Sequence, residues 1–341
     1  MDLKEIRKVA VVGLGAVGAV VAEQLQAILG NELYCVMDAK RKAHYAQSGI
    51  FINGKKIDFH YVTPDEVPVV DLVIFATKNL QLAEALEVAK NAVGPQTAIL
   101  SLLNGVHSEV EIEKAFGAEK TLYGFIVNLQ SINKGGVIDC AAKGIILFGE
   151  KDNHISERVQ SIQKLFETAH VTHKVPENIR FEMWKKLLMN TVFNSLGAIC
   201  RSTFGGFHSP VMQKMAYQVG REVIAVANAE GFPLTEEHLE EDLRITCNYT
   251  PLGKCSMLQD VEAGRKTENA FFCGTICELG KVHGIPTPYC EFLGGLLEGT
   301  EYARELRKKL RSRFARLGVC NLLRRAALES AFCAPDHKLP L

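Results

Sequence analysis

The stretch that most constrains this chain is RKVAVVGLGAVGAVVAEQL, near the N-terminus, where an apolar run breaks into glycines and resumes at helical period. Such a pattern specifies a β-strand that ends in a sharp turn from which a helix starts at once. Gly13 permits the turn, Gly15 lets backbone approach a bound group closely, and Gly18 lets the helix lie against the sheet. With Leu14, Ala16 and Val17 between them, these residues aim the free N–H groups of a helix start at one spot, which suits a pyrophosphate. A lone GxGxxG is weak, but here it follows a strand and opens a helix, the context that a dinucleotide turn requires.

The first half of the chain keeps alternating in this way. Strand candidates fall at 8–12, 33–37, 71–76, 98–102 and 122–127, with helical period at 16–29, 80–92 and 109–116. That alternation predicts an α/β fold, an N-terminal Rossmann-type doubly wound sheet. GIFINGKKIDFHYV interrupts it with Asn53-Gly54 between two β-rich runs, a hairpin signal, and 136–141 and 144–148 read as a further pair of strands. Beyond Val175 only helical patterns remain, at 179–199, 210–229, 236–248, 256–263, 268–283 and 288–310, so a C-terminal all-helical domain is expected. The expected division is 1–175 for the dinucleotide-binding domain, 176–310 for the helical substrate domain and 311–341 for a basic extension.

With 341 residues and 47% hydrophobic content, the chain can fill two cores. A formal net charge of +0 gives no overall electrostatic case for nucleic acid, although residues 301–341 carry ten Lys/Arg against four Asp/Glu. No basic-then-apolar leader and no apolar run of about 18 residues appears, so a cytoplasmic protein without membrane contact is expected. The ten cysteines include no CxxC pair and are read as reduced thiols. Cys273 and Cys277, four apart, lack a second ligand pair, so no metal site is expected.

Candidate chemistry lies in FEMWKKLLMNTVFNSLGAI, where Lys186, Asn190 and Asn194 recur at four-residue steps along one helical face. An amine and two amides among apolar residues can supply a proton and hydrogen bonds to a small polar ligand, although the same spacing also suits a solvated stripe. Lys78 and Asn104 each follow an apolar strand, where loops at the carboxyl ends of a parallel sheet line the ligand crevice. Asp38 stands 20 residues after Gly18 at the end of the second strand, where a carboxylate accepts from ribose hydroxyls and favours NAD. Lys40 and Arg41 follow immediately, and a guanidinium there suits a 2′-phosphate, leaving NADPH or NADH open.

Taken together, GLGAVG at 13–18, ATK at 76–78, NG at 104–105, WKKLLMNTVFN at 184–194, SMLQDVEAGRKTE at 256–268 and HGIPTP at 283–288 resemble the ketopantoate reductase family. The resemblance spans roughly residues 7–300 and implies reduction of 2-dehydropantoate to D-pantoate with NADPH, on the route to pantothenate and coenzyme A. It implies that Lys186 is the proton donor and that Asn190, Asn194 and Ser256 contact substrate. It also implies a catalytic and cofactor-binding role for Glu268, with Lys78 and Asn104 at the nicotinamide end, Asn104 touching substrate too. Asp38 departs from the arginine that many members carry there. A homodimer with a small-molecule 2-keto acid substrate is the family expectation. Two readings stand beside it: an NAD-dependent D-2-hydroxyacid dehydrogenase acting on another branched or aromatic 2-keto acid, and a non-catalytic dinucleotide-binding redox sensor.

Overall fold

The computed structural model describes residues 5–316. The chain runs β1 (Val9–Val12), α1 (Ala16–Leu29), β2 (Leu33–Val36), α2 (Ala39–Ser48), β3 (Ile50–Ile52), β4 (Lys55–Ile57), β5 (Tyr61–Val62), β6 (Leu72–Phe75), α3 (Leu82–Ala89), β7 (Ala98–Ser101) and α4 (Ser108–Phe116). A long hairpin follows, β8 (Thr121–Lys134) and β9 (Val137–Gly149), and then α5 (Glu157–Thr168) and β10 (His173–Lys174).

These strands form one sheet in the order β4-β3-β9-β8-β7-β6-β1-β2-β5, with β10 beside β9. From β5 to β8 every pairing is parallel. In chain order those six strands read 3-2-1-4-5-6, the doubly wound arrangement expected from the alternation. Strand succession reverses at β1, so a crevice opens at the carboxyl ends of β1 and β6. The strands β1, β2, β6 and β7 are buried along their length, because helices cover both faces. Val20 and Leu25 of α1 pack on one face with Ile162 and Phe166 of α5, while Leu82 and Ala85 of α3 and Ile112 of α4 pack on the other.

Two strand expectations need correction. Asn53 and Gly54 do form a hairpin turn, both at positive φ as a two-residue turn of the primed type requires. The hairpin, however, joins the far edge of the sheet through β3 and β9, while Tyr61–Val62 leaves it to pair with β2. The segments 136–141 and 144–148 are one strand, β9, whose antiparallel partner is β8. Gly144, where the second of the expected strands begins, lies opposite Asn128, and both adopt positive φ where the hairpin bends without ending.

The second half holds α6 (Ile179–Met189), a π-helical turn at Asn190–Asn194, α7 (Ser195–Ile199), α8 (Pro210–Ala229), α9 (Glu236–Asn248), α10 (Ser256–Glu262), α11 (Cys273–His283) and α12 (Pro288–Arg316). Trp184, Leu187, Val192 and Leu196 pack with Val219 and Val223 of α8 and Ile276 of α11 to form its core. The expected helix over 268–283 is split: Asn269–Phe271 forms a 3₁₀ turn, and Phe272, at φ −117° and ψ −91°, breaks the path before α11. Glu268 is thereby released from a helix. Among the described residues no helix is long and apolar enough to cross a membrane, and the eight cysteines are all free. Residues 317–341 of the basic extension lie outside the described residues.

Candidate active site

A cavity of about 1560 Å³ opens where β1 and β6 end and the helices of the second half face the sheet. Gly13, Leu14, Gly15, Ala16 and Val17 line it, as do Lys78 and Asn104 just beyond β6 and β7. Lys186, Asn190, Asn194, Ser256 and Glu268 line the same cavity from the helical side. The structure therefore brings together residues separated by up to 255 positions.

Each glycine of the turn meets a different constraint. Gly13 has φ +101°, and a Cβ there would lie 2.6 Å from Thr77 Cγ2 and 2.8 Å from the Ala76 backbone. A Cβ on Gly18 would lie 1.8 Å from Gly13 O, so only glycine lets α1 lie this close to the turn. Gly18 is absent from the cavity wall, and the constraint it meets is one of packing. At Gly15 a Cβ would meet nothing within 4 Å, and no side chain caps the start of α1. A cavity-facing helix start with free N–H groups fits a pyrophosphate.

Asp38 stands just past the end of β2, as expected, and has a local partner there. Its carboxylate caps α2, accepting from Arg41 N–H at 2.8 Å, and it is not part of the cavity wall. Arg41 does line the cavity, held by Asp38 at 3.4 Å and Glu84 at 3.2 Å.

Lys186 projects from the last turn of α6. Its Nζ donates to Ile126 O at 2.8 Å and lies 5.0 Å from the centre of the Phe125 ring. Burial brings its pKa down to about 8, opposed by the negative fields of Glu268 and Glu109. Lys185 turns away toward Glu182, at 3.6 Å. Past Lys186 the helix widens into the π-turn, a distortion common at functional sites. Within it Asn194 Nδ2 donates to Asn190 Oδ1 at 3.0 Å and to Ser256 Oγ at 3.5 Å. Asn190 Nδ2 is buried without a hydrogen bond, a donor left for a ligand.

Glu268 is buried and organises the remaining polar groups. It accepts from the Asn79 N–H at 3.2 Å, from Asn79 Nδ2 at 3.1 Å and from Asn104 Nδ2 at 3.2 Å. Lys78 pairs with Asp260, which also takes Arg265 Nε at 2.7 Å. Sequence reasoning singled out neither Asn79 nor the Asp260 partner of Lys78. The available signal for Asn79 was its place beside Lys78 at a strand exit; Asp260 gave none, since its partner is 182 residues away.

Comparison with known proteins agrees with this geometry. Residues 9–153 match the family described as ketopantoate reductase PanE/ApbA, and 178–301 match its C-terminal counterpart. A 2-dehydropantoate 2-reductase of Pyrococcus horikoshii is 28% identical over 298 residues, covering 86% of this chain and 97% of that protein. The crystal structure of a 2-dehydropantoate 2-reductase from Geobacter metallireducens superposes with a TM-score of 0.76 at 28% identity, over 86% of this chain and 99% of the other. D-mandelate dehydrogenase, in a ternary structure with NADH and anilino(oxo)acetate, gives a TM-score of 0.80 at 25% identity, over 87% and 99%. With matched segments that cover most of its length and a shared two-part architecture, this chain is an oxidoreductase belonging to the ketopantoate reductase family.

Proposed function

We propose that this protein reduces a 2-keto acid, 2-dehydropantoate in the first instance, to the D-2-hydroxy acid. The observation that carries this reading is a half-buried ammonium, Lys186, in one cavity with an open glycine turn and an unpartnered amide donor. Residues 1–175 hold the dinucleotide and 176–310 supply the substrate-binding side chains. A reduced nicotinamide, when bound, supplies the hydride that the keto carbon accepts. Gly13–Val17 would hold its pyrophosphate, with Lys78, Asn104 and Glu268 toward the nicotinamide end. Lys186 polarises the keto oxygen and passes it a proton as negative charge develops there. Asn190, Asn194 and Ser256 bind the carboxylate and a distal hydroxyl with neutral groups, adding no charge that competes with the ammonium. Glu268 fixes Asn79 and Asn104 and steadies the ammonium from a distance.

Phe204 and Tyr249 support a second substrate reading. Their rings, 4.9 Å apart, form part of the cavity wall and offer a surface to an aromatic 2-keto acid. D-mandelate dehydrogenase, whose ternary structure contains an aromatic oxoacetate, is a structural relative. A non-catalytic sensor is disfavoured because it has no need of a proton donor at the hydride site. Steady-state oxidation of NADH and NADPH with 2-dehydropantoate and with aromatic and branched 2-keto acids separates these readings. Tight dinucleotide binding without turnover on any of them would support the sensor.

For the cofactor we infer NADH, because two carboxylates already neutralise Arg41, the guanidinium nearest to a 2′-phosphate role. Replacing Asp38 by Asn together with Glu84 by Gln is expected to improve NADPH affinity relative to NADH by about two- to fivefold, as exposed ion pairs of this kind permit. Fluorescence titration of both dinucleotides measures it, and an unchanged ratio would leave Arg41 without a part in selection.

For assembly we infer a homodimer. Tyr289, Phe292, Leu296, Leu306 and Leu310 are exposed along α12, and with Gly299 and Ala303 in the gap they complete a run of alternating three- and four-residue steps. Antiparallel pairing with a second copy sets the basic end of α12 against Glu291 and Glu298. The mass in solution, from light scattering, tests this.

A further inference from the structure

Among the buried acids that the mechanism above leaves unused, Glu109 is the most deeply buried. Glu109, in the first turn of α4, has no exposed surface and no cation within ion-pair distance among the described residues. Ser108 Oγ donates to its Oε2 at 3.0 Å and is itself 2.8 Å from Ser101 Oγ, while Oε1 makes no hydrogen bond. An isolated carboxylate in such a place is costly, so its position calls for a reason.

The sheet supplies that reason. Pairing between β7 and β8 is registered only through Leu100–Leu122, after which β8 continues with β9 on its other side and its β7-side edge is left without a strand. Ile99 N–H donates to Lys120 O, so by the two-residue strand period Leu122, Gly124 and Ile126 turn their polar groups to that same edge. Glu109 sits in the fork, where the Gly124 amide and the Ser101 hydroxyl act on its carboxyl. The next carbonyl along the edge, Ile126 O, takes the Lys186 ammonium. Gly124 and Ile126 are two residues, or about 7 Å, apart along the strand. A Cβ at Gly124 would press on Leu100, Leu147 O and Ser101 O, so the fork stays this tight only with glycine.

We propose that Glu109 is a positioning residue for the proton donor: its carboxylate, sealed in the fork between β7 and β8, is the countercharge that keeps Lys186 an ammonium. The inference rests on the role given to Lys186 above and adds a residue to it. Other charged groups are engaged elsewhere. Lys185 faces Glu182, and His107 faces Glu111. Glu113 takes the Tyr123 hydroxyl and Lys151, and Arg180 acts on Tyr123 from α6. Among the described residues, only Glu109, from α4, and Glu268, from the segment before α11, act on Lys186. Burial lifts the Glu109 carboxyl to about 7, so it ionises below the range in which Lys186 titrates.

The test follows the acylation of Lys186 by acetic anhydride against pH, read by mass spectrometry, in the wild type and in Glu109→Gln and Glu109→Asp. In Glu109→Gln the midpoint for Lys186 should fall by about half to one pH unit, while the shorter carboxylate of Glu109→Asp should restore most of it. An unchanged midpoint in Glu109→Gln, or a fall of equal size in both variants, would overturn the proposal. Wherever a 2-keto acid is turned over, the alkaline limb of kcat should move down with the labelling midpoint. A protein that reduces none of them would fail the functional reading, yet the labelling would still decide the role of Glu109. The thermal midpoint gives a separate check that Glu109→Gln is folded. Because the folded carboxyl holds its proton to about pH 7 and the unfolded one does not, the wild type should lose stability as pH rises from 5 to 7 and Glu109→Gln should lose less.

Discussion

Lys186→Ala is expected to lower turnover of the reducible 2-keto acid by about 10²–10⁴-fold, the contribution of a positioned general acid. Dinucleotide affinity should stay nearly unchanged, because Lys186 enters the cavity from α6 and makes no contact with the glycine turn. The pH profile supplies a second signature. A donor must carry its proton, so wild-type kcat should be level on the acid side and fall as pH rises through about 8, the value to which burial brings this lysine. That limb should vanish with the side chain. Lys185→Ala is the control, since Lys185 faces Glu182 and is absent from the cavity wall. Single-turnover measurement separates chemistry from product release, and near-normal turnover in Lys186→Ala would remove this residue from its assigned role.

The parts of this protein that were readable in advance are those encoded over short distances. The glycine turn, the alternating elements and the spacing of Lys186, Asn190 and Asn194 each arise within about 20 residues. The helix α2 escaped because it buries none of its residues and so carries no apolar stripe. By contrast α5 carries one, with Val159, Ile162 and Phe166 buried behind a Ser156 cap, a period legible in the sequence although absent from the expected elements. The π-turn has no local signature: Asn190 and Asn194 keep their four-residue step while the backbone between them widens. Polar partnerships across the cleft were the least visible. Glu268 meets Asn79 and Asn104, and Asp260 meets Lys78, over separations of 164–189 residues that only the packed fold defines. At Asp38 the spacing of the motif leaves a local role unseen, since its carboxylate caps α2.

Gly18→Ala and Gly15→Ala, two changes of one methyl group three residues apart, should have opposite consequences. At Gly18 the added carbon meets the carbonyl of Gly13 at 1.8 Å and the Ala76 Cβ at 3.0 Å. Backbone cannot step aside as a flexible side chain can, so α1 must move off the sheet or the turn must open. Overpacking of this kind costs about 1–3 kcal/mol and should lower the melting temperature by about 3–10 °C. It should also weaken dinucleotide binding, because the turn and the start of α1 move together. At Gly15 the added carbon enters open space, so the melting temperature should stay within about a degree of wild type, as for substitutions that meet nothing. That space is where a pyrophosphate approaches the backbone, and affinity for the dinucleotide should fall about tenfold or more. Differential scanning fluorimetry with and without NADH reads both effects at once. Gly15→Ala should keep its intrinsic midpoint and lose the ligand-induced rise, whereas Gly18→Ala should start lower. A full ligand-induced rise in Gly15→Ala would mean that the pyrophosphate does not rest on the start of α1, and the placement of the cofactor in this cavity would have to be drawn again.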